Sequence, residues 1–146
     1  MNNKLLSLTI FLSFFVLSNI THAKSLADRN KVNQVNEYFM SQLVAGEFES
    51  AYALMTAYLG VDAQQFEERG KKAAQSMKQL QQNQGKPLSF ALLKTQSIDE
   101  HFYKASYLLK YSAAAIIWEL NYYQPDQGWR LVDISFNADI NALFED

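Results

Sequence analysis

At Pro87 the spacing of apolar residues changes from three and four to two, and that switch confines the chain to helices first and strands second. Ahead of it, Val32, Val35, Phe39 and Leu43 recur at helical steps between Ser25 and Gly46, with Asp28, Arg29, Lys31, Asn33 and Asn36 in the gaps. Gly46 interrupts this first helix. Phe48, Ala51, Tyr52 and Met55 repeat the spacing up to Tyr58-Leu59-Gly60, where a glycine stops the second helix. Asp62 can cap a third, whose stripe is Phe66, Gly70, Ala73, Met77 and Leu80. Behind Pro87, the runs 88–97, 101–111, 114–123 and 129–137 read as strands. The gaps between them are too short for parallel crossovers, so the sheet is antiparallel. The expected fold is α+β: three N-terminal helices packed on one face of a curved four-stranded antiparallel sheet.

Ser112-Ala113 as a two-residue turn sets the register of the central pair and therefore decides which side chains the helices cover. It puts Leu109 opposite Ile116, Tyr107 opposite Trp118, Ala105 opposite Leu120 and Tyr103 opposite Tyr122, an apolar face to which Tyr111, Val132, Ile134 and Phe136 also belong. The other face is mixed: Phe102, Lys104, Ser106, Leu108 and Lys110 meet Tyr123, Asn121, Glu119, Ile117 and Ala115, with Trp129, Leu131, Asp133 and Ser135 from the last strand. A slip of one residue inverts every assignment.

Residues 1–23 have the pattern of a secretory signal: a polar start with Lys4, an apolar run from Leu5 to Ile20, and Thr21-His22-Ala23. The run is roughly 16 residues, short of the ~20 that cross a bilayer comfortably. Cleavage is expected after Ala23, leaving 24–146 as one domain in the periplasm or outside the cell, with no further membrane attachment. The chain has no cysteine, so the exported fold has burial and not disulfides to hold it.

Asn36-Glu37-Tyr38-Phe39, Gly46-Glu47-Phe48-Glu49-Ser50-Ala51-Tyr52, Tyr107-Leu108-Leu109-Lys110-Tyr111 and Gly128-Trp129-Arg130-Leu131-Val132-Asp133-Ile134-Ser135-Phe136 together span nearly the whole of 24–146. In these stretches the chain resembles the nuclear-transport-factor-2-like superfamily, and in particular its small exported bacterial members of unknown role. The resemblance implies a cone of helices over a curved sheet. It implies no one activity, because that fold hosts isomerases, dehydratases, binders and dimerisation modules. Gly60-Val61 leaves little room for the small strand that many members carry between their second and third helices.

A formal charge of −2 and a pI near 5.7 provide no broad basic field, so nucleic acid is not an expected partner. Without cysteine, and with His101 the one histidine beyond the signal, no metal site or cofactor is expected, nor are phosphate loops or a nucleophile elbow present. The apolar sheet face holds no acid and no imidazole, so no catalytic residue is assigned there. An isomerase or dehydratase would have to draw on Glu37, Glu47 or Glu49 from a helix. Glu119 and Asp133 are expected opposite one another on the mixed face, with Lys104 and Lys110 near enough to neutralise them.

Two concentrations of side chains stand out. Tyr103, Tyr107, Tyr111, Trp118 and Tyr122, with Phe66 from the helices, are the candidate lining of a pocket for a small apolar ligand between helices and sheet. The same rings can instead pack as core against Phe39, Leu43, Tyr52, Met55 and Met77. On the mixed face, Phe102, Leu108, Ile117, Tyr123, Trp129 and Leu131 are candidate residues of a sheet-to-sheet homodimer. The expectation is an exported, soluble, non-enzymatic binding or interaction module. The alternatives are a small-substrate enzyme with a helix-borne carboxylate and a dimerising subunit of an envelope complex.

Overall fold

The computed structural model describes residues 24–144, so the expected signal segment and its expected cleavage point lie outside the described residues. Three helices precede a four-stranded antiparallel sheet, as the switch at Pro87 requires: α1 Arg29–Ala45, α2 Phe48–Met55, α3 Ala63–Gln84, then β1 Ser89–Ile98, β2 Phe102–Lys110, β3 Ala115–Tyr123 and β4 Arg130–Asn137. The strands lie in chain order and the sheet is open. Short 3-10 turns follow α2, at Thr56–Tyr58, and β4, at Ile140–Leu143.

Local chemistry sets the helix ends. Asp28 and Asp62 each accept a hydrogen bond at 2.8 Å, from the amides of Lys31 and Gln65, which satisfies donors that the first turns of α1 and α3 leave over. Gly46 takes a left-handed conformation (φ 82°) where α1 stops, a geometry a side chain would strain. The first helix begins later than its sequence suggests because Leu26 instead pairs with Trp129 as a short antiparallel bridge. Each helix buries most of its expected stripe, Val32, Phe39 and Leu43; Phe48, Ala51, Tyr52 and Met55; Phe66, Gly70, Ala73 and Met77, while Val35 and Leu80 are half-buried. Gly70 is needed for close approach, since a Cβ there would lie 2.7 Å from the Tyr52 ring.

The β2–β3 register is the one the Ser112-Ala113 turn demands, from Phe102 opposite Tyr123 to Lys110 opposite Ala115. Tyr111 donates its amide to the Ala114 carbonyl at 2.9 Å and closes the turn. The last strand differs. Trp118 pairs with Phe136 and Leu120 with Ile134, which keeps these side chains on the expected face but two residues away from the register that sets Glu119 opposite Asp133, and a bulge then sets Tyr122 opposite Leu131. One extra residue in the strand reverses the side-chain alternation beyond it. Leu131 and Trp129 therefore join the core, and neither belongs to an exposed interface. Val132, expected inside, is half-buried and lines a hollow on the outer face. The two carboxylates expected to face each other do not: Glu119 pairs with Ser135, and Asp133 with Asn121. A second bulge, at Leu93 in β1, lies between the Leu92–Tyr107 and Lys94–Ser106 pairs.

The two edges of the sheet are treated differently. Along β4, Leu59 forms a parallel bridge to Leu131, with the Gly60 amide donating to the Leu131 carbonyl at 2.8 Å, and Leu26 bridges Trp129. Among the described residues no chain segment pairs with the outer edge of β1.

Candidate functional site

The aromatic cluster expected between helices and sheet is buried, and its six members fall into separate environments. Trp118 is fully covered; Phe39 and Tyr52 meet its indole edge-on with ring centres at 5.6 and 6.3 Å. Phe136, half-exposed at the sheet end, packs on its other side at 5.0 Å. Phe66 lies away from the tyrosines, against Tyr52 between α2 and α3. Tyr111 is at the far end of β2 beside the turn. Its hydroxyl is buried without a hydrogen-bond partner among the described residues, and burial lifts its pKa to about 12.

Tyr103, Tyr107 and Tyr122 do come together, beneath the polar side of α1. The Tyr122 hydroxyl donates to Asn36 Oδ1, and the Tyr103 hydroxyl donates to Asn33 Oδ1 at 2.8 Å. Burial pushes the Tyr107 phenol up to about 12, while Asn36 is close enough to draw it slightly the other way. Tyr122 is raised well above the ordinary phenol range, again by burial first. The Tyr107 and Tyr122 hydroxyls are therefore neutral at physiological pH. Asn36 is the hub sequence reasoning missed: it is fully buried, and its amide nitrogen has no hydrogen-bond partner among the described residues. Its place in the α1 stripe, three residues before Phe39, was the available signal.

The helix-borne carboxylates are on the surface. Glu37, Glu47 and Glu49 are all exposed, and the hydrogen bond from Lys78 holds the Glu49 carboxyl below its usual range. Glu49 lies at one end of a groove of about 410 Å³ between α2 and α3, floored by Tyr52, Phe66 and Gly70. His101 is exposed in the β1–β2 turn. Among the described residues no group of three or more acidic or imidazole side chains is placed to hold a metal ion, and no helix is long and apolar enough to cross a membrane.

The outer face of the sheet is layered along the strands. One row is Ala91, Leu108 and Ile117; the next two carry Lys94, Ser106, Glu119 and Ser135, then Gln96, Lys104, Asn121 and Asp133; the last is Ile98, Phe102, Tyr123 and Arg130. Ile117, expected to be exposed, is buried, and it shares a hollow of about 350 Å³ with Leu143 of the C-terminal 3-10 turn. Leu108 is half-buried. At the other end Phe102 and Tyr123 are exposed as expected, and they stack with ring centres at 5.1 Å. Ile98 and Phe102 border a broader hollow of about 550 Å³. The charged rows between are largely neutralised within the chain: Glu119 takes Lys104 at 3.5 Å and the buried Ser106 hydroxyl at 3.2 Å, and Asp133 takes Arg69 of α3 at 2.8 Å.

No protein-family model matches the chain, and no curated protein does. Among solved structures, a DUF4783 family protein from Bacteroides ovatus ATCC 8483 aligns with a TM-score of 0.42 and 14% identity, over 66% of this chain and 91% of that one. A likeness at that level carries no argument about function.

Proposed function

We propose that the protein is an exported, non-enzymatic interaction module, built on a nuclear-transport-factor-2-like cone, that docks a protein partner on the outer face of its sheet. The observation that carries this reading is the row of Ile98, Phe102 and Tyr123, which keeps between 37% and 67% of its surface in water beside a charged band already neutralised from within. Large apolar groups grouped on a sheet face bind by area, and neighbouring ion pairs add little repulsion to be overcome. The helical side supports the same conclusion from the opposite direction, since Phe39, Tyr52 and Met55 fill the space over Trp118 with side chains of the chain itself. Export rests on the signal pattern of residues 1–23.

A photoreactive amino acid placed at Phe102 or Tyr123 in an exporting bacterial host tests the reading. Protein cross-links are expected from both positions and none from Lys72 on the exposed side of α3, on a chain whose sequenced amino terminus is Lys24. Cross-links from Lys72 alone, or an amino terminus at Met1, would overturn it.

A further inference from the structure

We infer that the uncapped edge of β1 is a self-association surface, on which a second copy of the chain pairs its own β1 in antiparallel fashion to make one eight-stranded sheet. A sheet edge presents unpaired amide and carbonyl groups, and proteins normally cover it, shorten it or charge it. Here the beginning of β4 is bridged, by Leu59-Gly60 at Leu131 and by Leu26 at Trp129 just before it, whereas β1 is the longest strand, at ten residues, and has no neighbour on its outer side among the described residues. Exposed large apolar side chains concentrate along it: Leu88, Leu92, Leu93 and Ile98 keep between 38% and 67% of their surface in water.

The charges at its two ends name the partner. Lys86 lies before β1 and Asp99 and Glu100 directly after it, all exposed, and Glu100 also meets Arg29 of α1 at 3.4 Å. An antiparallel two-fold pair places the basic beginning of each strand against the acidic end of the other, so both ends attract at once. The middle does the opposite. Lys94 and the Leu93 bulge are at the midpoint of β1, where the two copies of Lys94 approach each other, and both devices are ones that weaken edge pairing. The pair is therefore reversible. It also closes at two copies, because a two-fold contact uses the same edge of both chains. The outer faces are left free and joined side by side; Ile98 is common to this contact and to the docking row, and Leu93 against Phe102 and Tyr123 separates the two.

Sedimentation velocity of the exported chain, at concentrations spanning the micromolar range, tests the inference. A reversible dimer is expected, with Leu93→Lys shifting the equilibrium to monomer. Lys86→Glu and Glu100→Lys each weaken association about tenfold, since every reversal acts at both ends of the pair. An equal mixture of those two variants regains the wild-type association as a mixed pair, and Lys94→Ala tightens the dimer. A monomer throughout would overturn the inference. So would a dimer that ignores Leu93→Lys but dissociates with Phe102→Glu and Tyr123→Glu, which would place the contact on the stacked outer faces instead.

Discussion

Tyr122 and Asn36 show how a single polar pair can be held inside an apolar layer. The phenol comes from the face of β3 that the helices cover, and the amide from the buried stripe of α1. Asn36 already leaves its nitrogen unpaired, so the bond from Tyr122 is the hydrogen bond its side chain makes to a described residue. Tyr122→Phe is expected to lower stability by about 1–3 kcal/mol, because a buried acceptor is then stranded. Tyr103→Phe is expected to lower it by no more than about 1 kcal/mol, since Asn33 is half-buried and water can replace the lost donor. Urea unfolding of both variants, with unchanged slope, checks the ordering. The tyrosines were legible from strand parity. Their partners were not, because helical spacing marks Asn36 only as a polar residue on the boundary of a stripe and says nothing of what lies across from it.

At the scale of elements, the strands owe their faces to parity and the exceptions to bulges. The β2–β3 pairing could be read directly, since a two-residue turn leaves one register and the apolar alternation agrees with it. The β4 register could not be read through. Val132, Ile134 and Phe136 alternate regularly, and nothing in that run marks the extra residue that sends Leu131 and Trp129 inward. Leu59 and Leu26, in the segments between and before the helices, pair with Leu131 and Trp129 at this end of β4. Leu131→Ala is accordingly expected to lower stability by about 2–5 kcal/mol, as for a filled core position, and Val132→Ala by less than half as much. Thermal unfolding of the pair decides it; equal losses would mean that Leu131 is not the buried member.

At the scale of the whole molecule, one sheet face is covered by helices and the other is open. The covered face is closed by rings from α1 and α2 over Trp118, and the open face keeps Ile98, Phe102 and Tyr123 in water next to an unpaired edge. The order of helices and strands was available from the change of period at Pro87, and so was the aromatic content of the interior. Whether that interior was a ligand pocket or packed core was not, because it depends on how far the helices settle, and Gly70 against Tyr52 lets α2 and α3 close tightly. The proposed division of faces is tested most directly by titrating the chain from Lys24 onward with a fluorescent dye that brightens in apolar surroundings, beside Phe102→Glu/Tyr123→Glu and Tyr107→Phe. Dye affinity is predicted to fall in the outer-face pair and to stay unchanged in Tyr107→Phe. A loss confined to Tyr107→Phe would contradict the account, because it would put the binding surface between helices and sheet.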